Sequence, residues 1–240
     1  MPTVLTHLGF VEILEKKRPA FFKKLDLRYL VSGSLFPDYY GFYKIQTKLN
    51  PEFFYEIRNK KGTTFGKRMY AIARTKAEKS FAIGFISHNV LDKHFHNYFN
   101  KNGITADNPE DHLMLEFYYD CKFKNIRVSP VLYPDGIIEE TLNRYYKNIK
   151  SKKAYVTKIK LMGYYLFLKE IQKRIIHKKY MKKEKSYLDL LAVLFYKKPI
   201  NLKKLLNPNK DLKNKHIKNL EKVFAAAEKE MLKIISSINH

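Results

Sequence analysis

The chain has 240 residues, 45% of them hydrophobic and 15% aromatic, enough to bury a real core and to exclude wholesale disorder. Its single cysteine excludes a disulfide framework and a cysteine-built zinc cluster, so any metal must be held by His, Asp and Glu. A net charge of +24, mostly from Lys, draws anions such as nucleic acid, an anionic membrane surface or a phosphorylated substrate, although biased base composition also favours Lys.

The N-terminal "MPTVLTHLGF" lacks the basic and then apolar regions of a secretory signal. The longest apolar run, "LMGYYLFL", is less than half the length of a bilayer span. These features predict a soluble, cytoplasmic protein. Strand-like alternation is nearly absent and helical periodicity is widespread, which predicts an all-α fold.

His7 follows "VLT" at the start of an apparent helix. In "GSLFPDYYG", Pro37 and Gly41 predict an irregular loop able to aim Asp38 inward. Taken alone, Asp38 reads as a turn or cap residue and His7 as an ordinary histidine of core or surface. "TKAE" (Thr75 to Glu78) is a capping box that opens a helix running to about Phe99. On that helix Phe81, Phe85, His88, Asp92, His96 and Phe99 share one face, and Ile83, Ile86, Val90 and Leu91 fill much of the rest. A helix apolar nearly all round is central and buried. Burying an unpaired Asp costs several kcal/mol, so His88, Asp92 and His96 form a hydrogen-bonded core cluster, a solvent-facing stripe or a metal site.

"NPED" (Asn108 to Asp111) predicts another helix start, after which His112 and Glu116 fall four residues apart on one face. Five nitrogen and oxygen donors from two neighbouring helices then converge, and imidazole with carboxylate is a ligand set suited to zinc. "YPDG" (Tyr133 to Gly136) is a turn. Residues 147–185 are dense in Lys and Arg around an apolar, aromatic centre, a pattern suited to contact with an anionic surface or to a helix packed on the core with a solvated Lys face. The C-terminal segment is an amphipathic helix with Ile217, Leu220, Phe224, Ala227, Met231 and Ile234 on its apolar face. His177, His216 and His240 lie in basic or terminal contexts and read as solvated. The domain reading is a metal-binding core at 1–130 and a basic helical part at 131–240 packed on it.

The order "TH", "GSLFPD", "GFISHNVLDKHFH" and His-x3-Glu resembles the zinc-dependent phospholipase C family, also called the phospholipase C/D domain, over about residues 1–120. The resemblance implies an all-helical phosphodiester hydrolase acting on phospholipid. A nuclease or nucleotide phosphodiesterase using the same site, or a non-catalytic basic binding protein, is the alternative. It implies that Asp38, His88 and Asp92 hold one zinc and that His96, His112 and Glu116 hold a second. Asp92 would bridge toward a third zinc near His7, and Asp38 is the implied general base. Secreted relatives complete the third site with an N-terminal Trp and carry an extra His before the central helix. This chain has no Trp and no His between residues 39 and 87. Two zinc ions are therefore expected, the tighter at His96, His112 and Glu116.

Overall fold

In the computed structural model the described residues are 4–47, 59–104 and 210–238, with His112, Leu115, Tyr119 and Phe123; for 4, 39–47, 59–60 and 210–215 the description stops at the backbone. Glu116, the helix start at Asn108, the turn at Tyr133 and the basic stretch 147–185 lie outside these residues. The described elements are helices, with no strand among them: α1 (Val4–Lys17), α2 (Pro19–Phe22), α3 (Leu27–Thr47), α4 (Asn59–Ile72), α5 (Lys76–Lys101) and α6 (Lys210–Ile238). The all-α expectation holds. No described helix is long and apolar enough to cross a membrane.

The helix α5 owes its length to chemistry at both ends. The Glu78 amide donates to the Thr75 hydroxyl at 3.1 Å and the Thr75 amide donates to the Glu78 carboxylate at 3.0 Å, the reciprocal pair that the "TKAE" motif predicts. At the other end Gly103 has φ +69°, a left-handed conformation that favours glycine. The Ile104 amide reaches back to the Phe99 carbonyl (2.9 Å) and the Gly103 amide to that of Asn100 (3.3 Å), the two bonds of a Schellman cap. Ile104 and Phe99 are both buried there.

The chain forms two compact units, with α5 contributing its residues to Val90 to one and those from Leu91 onward to the other. In the unit containing residues 7–90, α3 and α5 run in the same direction and touch in steps of one turn. The Asp26 amide donates to the Ser80 hydroxyl (2.8 Å), Gly84 rests on the Leu30 carbonyl, and His88 meets the Ser34 carbonyl. A methyl group added at Gly84 would lie 2.0 Å from the Leu30 oxygen, and one at Gly33 would lie 2.0 Å from the Phe81 oxygen. Only glycine allows backbones this close. Around the crossing, Phe36 packs against Phe81 and Phe85, and Phe65 of α4 against Phe85, with ring centroids 5.3–6.2 Å apart.

The other unit contains the C-terminal turns of α5, the buried residues His112, Leu115 and Tyr119, and α6. Leu220, Phe224, Ala227, Met231 and Ile234 are buried along one stripe of α6, as their spacing predicts, and Ile217 is half-buried. Tyr119 lies between Phe95 (5.3 Å) and Phe224 (5.7 Å). At the helix surface Lys93 and His94 both bond to Glu230.

Two expectations need correction. The segment around Asp38 is not an irregular loop, because α3 continues through Pro37 to Thr47. Proline in a helix costs about 3 kcal/mol. Here Leu30, Val31, Leu35 and Phe36 are all buried beside it, and their burial outweighs that cost. His216 is not solvated either: it is buried and its Nδ1 lies 2.7 Å from the Tyr98 hydroxyl.

Candidate metal centre

His7 comes from α1, Asp38 from α3 and His88 from α5, and all three are buried. The imidazoles of His7 and His88 stack, with centroids 3.9 Å apart and planes 13° from parallel. The Asp38 carboxylate serves both: Oδ2 is 3.8 Å from His7 Nε2 and Oδ1 is 3.8 Å from His88 Nε2. His88 Nδ1 is 2.7 Å from the Ser34 carbonyl oxygen, a group that can only accept, so this nitrogen donates.

Asp92 stands one turn beyond His88 on the same unbroken helix and is also buried. His7, His88 and Asp92 each offer one ligand atom, and these atoms lie within 4.8 Å of one another. Two imidazoles and a carboxylate at that spacing fit the donor chemistry and the short bonds of zinc, about 2.0–2.2 Å each.

Further along α5, His96 Nε2 is 3.8 Å from Asp92 Oδ2, and the ring of His112 lies 6.3 Å from that of His96, centroid to centroid. Burial pushes the His112 imidazole down to about 2, with His96 acting in the same direction and Asp92 in the opposite one. It is therefore neutral at any ordinary pH, the state in which an imidazole binds metal. Phe99 covers it, with ring centroids 4.7 Å apart. His96 is the least buried of these groups, with 32% of its side chain exposed.

Among the residues singled out in the sequence, His7, Asp38 and His88 come together, Asp92 joins them through the helix it shares with His88, and His96 pairs with both Asp92 and His112. Glu116 lies outside the described residues. His7 is stacked against His88, a placement that its lone "TH" context could not reveal. The Ser34 carbonyl was invisible to side-chain motifs altogether. His94, on another face of α5, pairs with Glu230.

The family model for zinc dependent phospholipase C matches residues 6–228, so the correspondence extends well past the N-terminal segment that holds the motifs. The chain belongs to that family. No curated protein and no solved structure matches it.

Proposed function

Given that membership, we propose that the protein is a zinc-dependent phosphodiester hydrolase whose substrate is a phospholipid, cleaved between the glycerol oxygen and phosphorus. The observation that carries this reading is the buried, stacked pair His7–His88 held against the Asp38 carboxylate. A structural core has little use for two imidazoles and a carboxylate desolvated together, because each must find polar partners to offset its burial.

In this reading His7, His88 and Asp92 hold one zinc ion, and His96, His112 and Glu116 hold a second, tighter one. Zinc would polarise a phosphoryl oxygen and acidify a water molecule enough for it to attack at neutral pH. Asp38 takes the proton from that water, because it is the carboxylate that faces both imidazoles yet keeps its oxygens 3.8 Å from their Nε2 atoms. The water oxygen bonds to phosphorus, the bond from phosphorus to the glycerol oxygen breaks, and the departing glycerol oxygen takes up the proton that Asp38 accepted, which returns Asp38 to its carboxylate form. His112, neutral and covered by Phe99, supplies a nitrogen donor that water competes for poorly. The half-exposed His96 marks the side open to substrate. The proposal places the enzyme in the cytoplasm, where a chain with one cysteine needs no disulfide.

The test is elemental analysis of protein purified without chelators, followed by assay on phosphatidylcholine, a soluble aryl phosphodiester and single-stranded DNA. Zinc at two equivalents with release of diacylglycerol supports the reading. Zinc-dependent cleavage of DNA alone would replace the lipid substrate with nucleic acid. Protein that neither retains zinc nor hydrolyses any of these substrates would reject it.

A further inference from the structure

The His88 imidazole is held by a main-chain group, and the way that group is delivered assigns work to residues outside the ligand set. We propose that the Ser34 carbonyl, brought into reach by the Gly33–Gly84 crossing, is a positioning group that fixes His88 as its Nδ1–H tautomer and turns a bare Nε2 toward Asp38. The inference rests on the reading of His88 as a metal ligand, and goes beyond it by naming what orients that ligand.

Ser34 O lies 2.7 Å from His88 Nδ1. A carbonyl oxygen has no proton to give, so the proton of this bond sits on Nδ1. In a neutral ring the lone pair is then on Nε2, the atom 3.8 Å from Asp38 Oδ1. A ligating histidine whose other nitrogen donates to a carbonyl is fixed in both tautomer and ring orientation.

The bond depends on the closeness of two backbones. Asp26 meets Ser80, Leu30 meets Gly84, and Ser34 meets His88, each pair four residues on from the last along both helices. At the middle step the space for a Gly84 Cβ is taken by the Leu30 oxygen at 2.0 Å and the Ser34 nitrogen at 2.7 Å. Any side chain there pushes the helices apart by more than an ångström if the contact is to become an ordinary one of 3.4–4 Å. A hydrogen bond of 2.7 Å one turn away does not survive such a shift. The Ser34 hydroxyl takes no part, because it donates to the Val31 carbonyl of its own helix at 2.8 Å.

The test reads the tautomer directly, in the full-length, metal-free protein labelled with 15N-histidine. Long-range proton–nitrogen correlation is recorded near pH 8, about 1.5 units above the ordinary histidine value. His88 is assigned from a His88→Gln variant. The expected wild-type pattern is a protonated Nδ1 and a bare Nε2, with no admixture of the other tautomer. Ser34→Ala keeps that pattern, since the contact is made by the main chain. Gly84→Ala loses it, and zinc affinity measured by competition with a chromophoric chelator falls about tenfold or more. An Nε2–H or mixed His88 in the wild type overturns the proposal, whether or not Gly84→Ala folds. A folded Gly84→Ala protein that keeps the wild-type pattern overturns the role of the crossing. A locked His88 in a wild-type protein that binds no zinc would leave the positioning contact standing and defeat the metal reading instead.

Discussion

At the scale of single residues, burial turns ordinary side chains into candidate ligands. His112 illustrates the cause: desolvation disfavours its charged form so strongly that the imidazole stays neutral through the physiological range. His7 and His88 stack in a buried site beside a shared carboxylate. Asp38 faces both rings from α3, the geometry behind its proposed role as proton acceptor. The isosteric change Asp38→Asn removes its proton-accepting power and preserves its shape. Hydrolysis should fall by about a hundredfold or more, the usual worth of a general base, with far-UV circular dichroism unchanged. Activity within a few-fold of wild type would remove Asp38 from the mechanism.

At the scale of elements, α5 is the member on which the site depends, since it carries His88, Asp92 and His96. Its C-terminal cap sets a measurable cost. A methyl group added at Gly103 meets nothing within 4 Å, so Gly103→Ala tests the left-handed backbone alone. Urea denaturation should show a loss of about 1 kcal/mol with no change in the slope of the transition. A variant as stable as wild type would mean that the cap contributes little.

The attachment of α6 to the end of α5 has a pH dependence of definite sign. Burial by itself would raise the Glu230 carboxyl, but the hydrogen bonds from Lys93 and His94 outweigh it and hold the group below its ordinary value. A carboxylate lowered in the folded state stabilises the fold above its unfolded value, and this contribution is lost as pH falls through the folded one. Because the pair is partly exposed, its worth is about 1 kcal/mol or less. Glu230→Gln should therefore melt below wild type at neutral pH, and the gap should close once the carboxyl is protonated in acid. A gap of the same size at both pH values would point to packing rather than charge.

At the scale of the whole molecule, metal binding and folding are one equilibrium. Zinc that binds the folded chain and not the unfolded one adds about 2.7 kcal/mol per site at a hundredfold excess over its dissociation constant. For a chain of this length, a chelator should lower the melting temperature by roughly 5–10 °C for each site it empties, and zinc, but not magnesium, should restore it. An unchanged melting curve after zinc is removed would separate the buried histidines from metal binding.

The sequence by itself determined the helical class, both ends of the capping box, the buried stripe of α6 and the shared face of His88, Asp92 and His96. These follow from periods and local hydrogen bonds, which need only neighbours a turn or two away. The helical course of Asp38 was decided only by tertiary structure. Pro37 and Gly41 argue locally for a loop, but burial of Leu30, Val31, Leu35 and Phe36 carries α3 through the proline. The partnership of His7 with His88, the Tyr98–His216 bond and the Ser34 carbonyl at His88 Nδ1 join residues far apart in the chain. No local period encodes them. The Ser34 contact depends on Gly33 and Gly84, which let two backbones touch, and that closeness becomes visible only when both helices are in place.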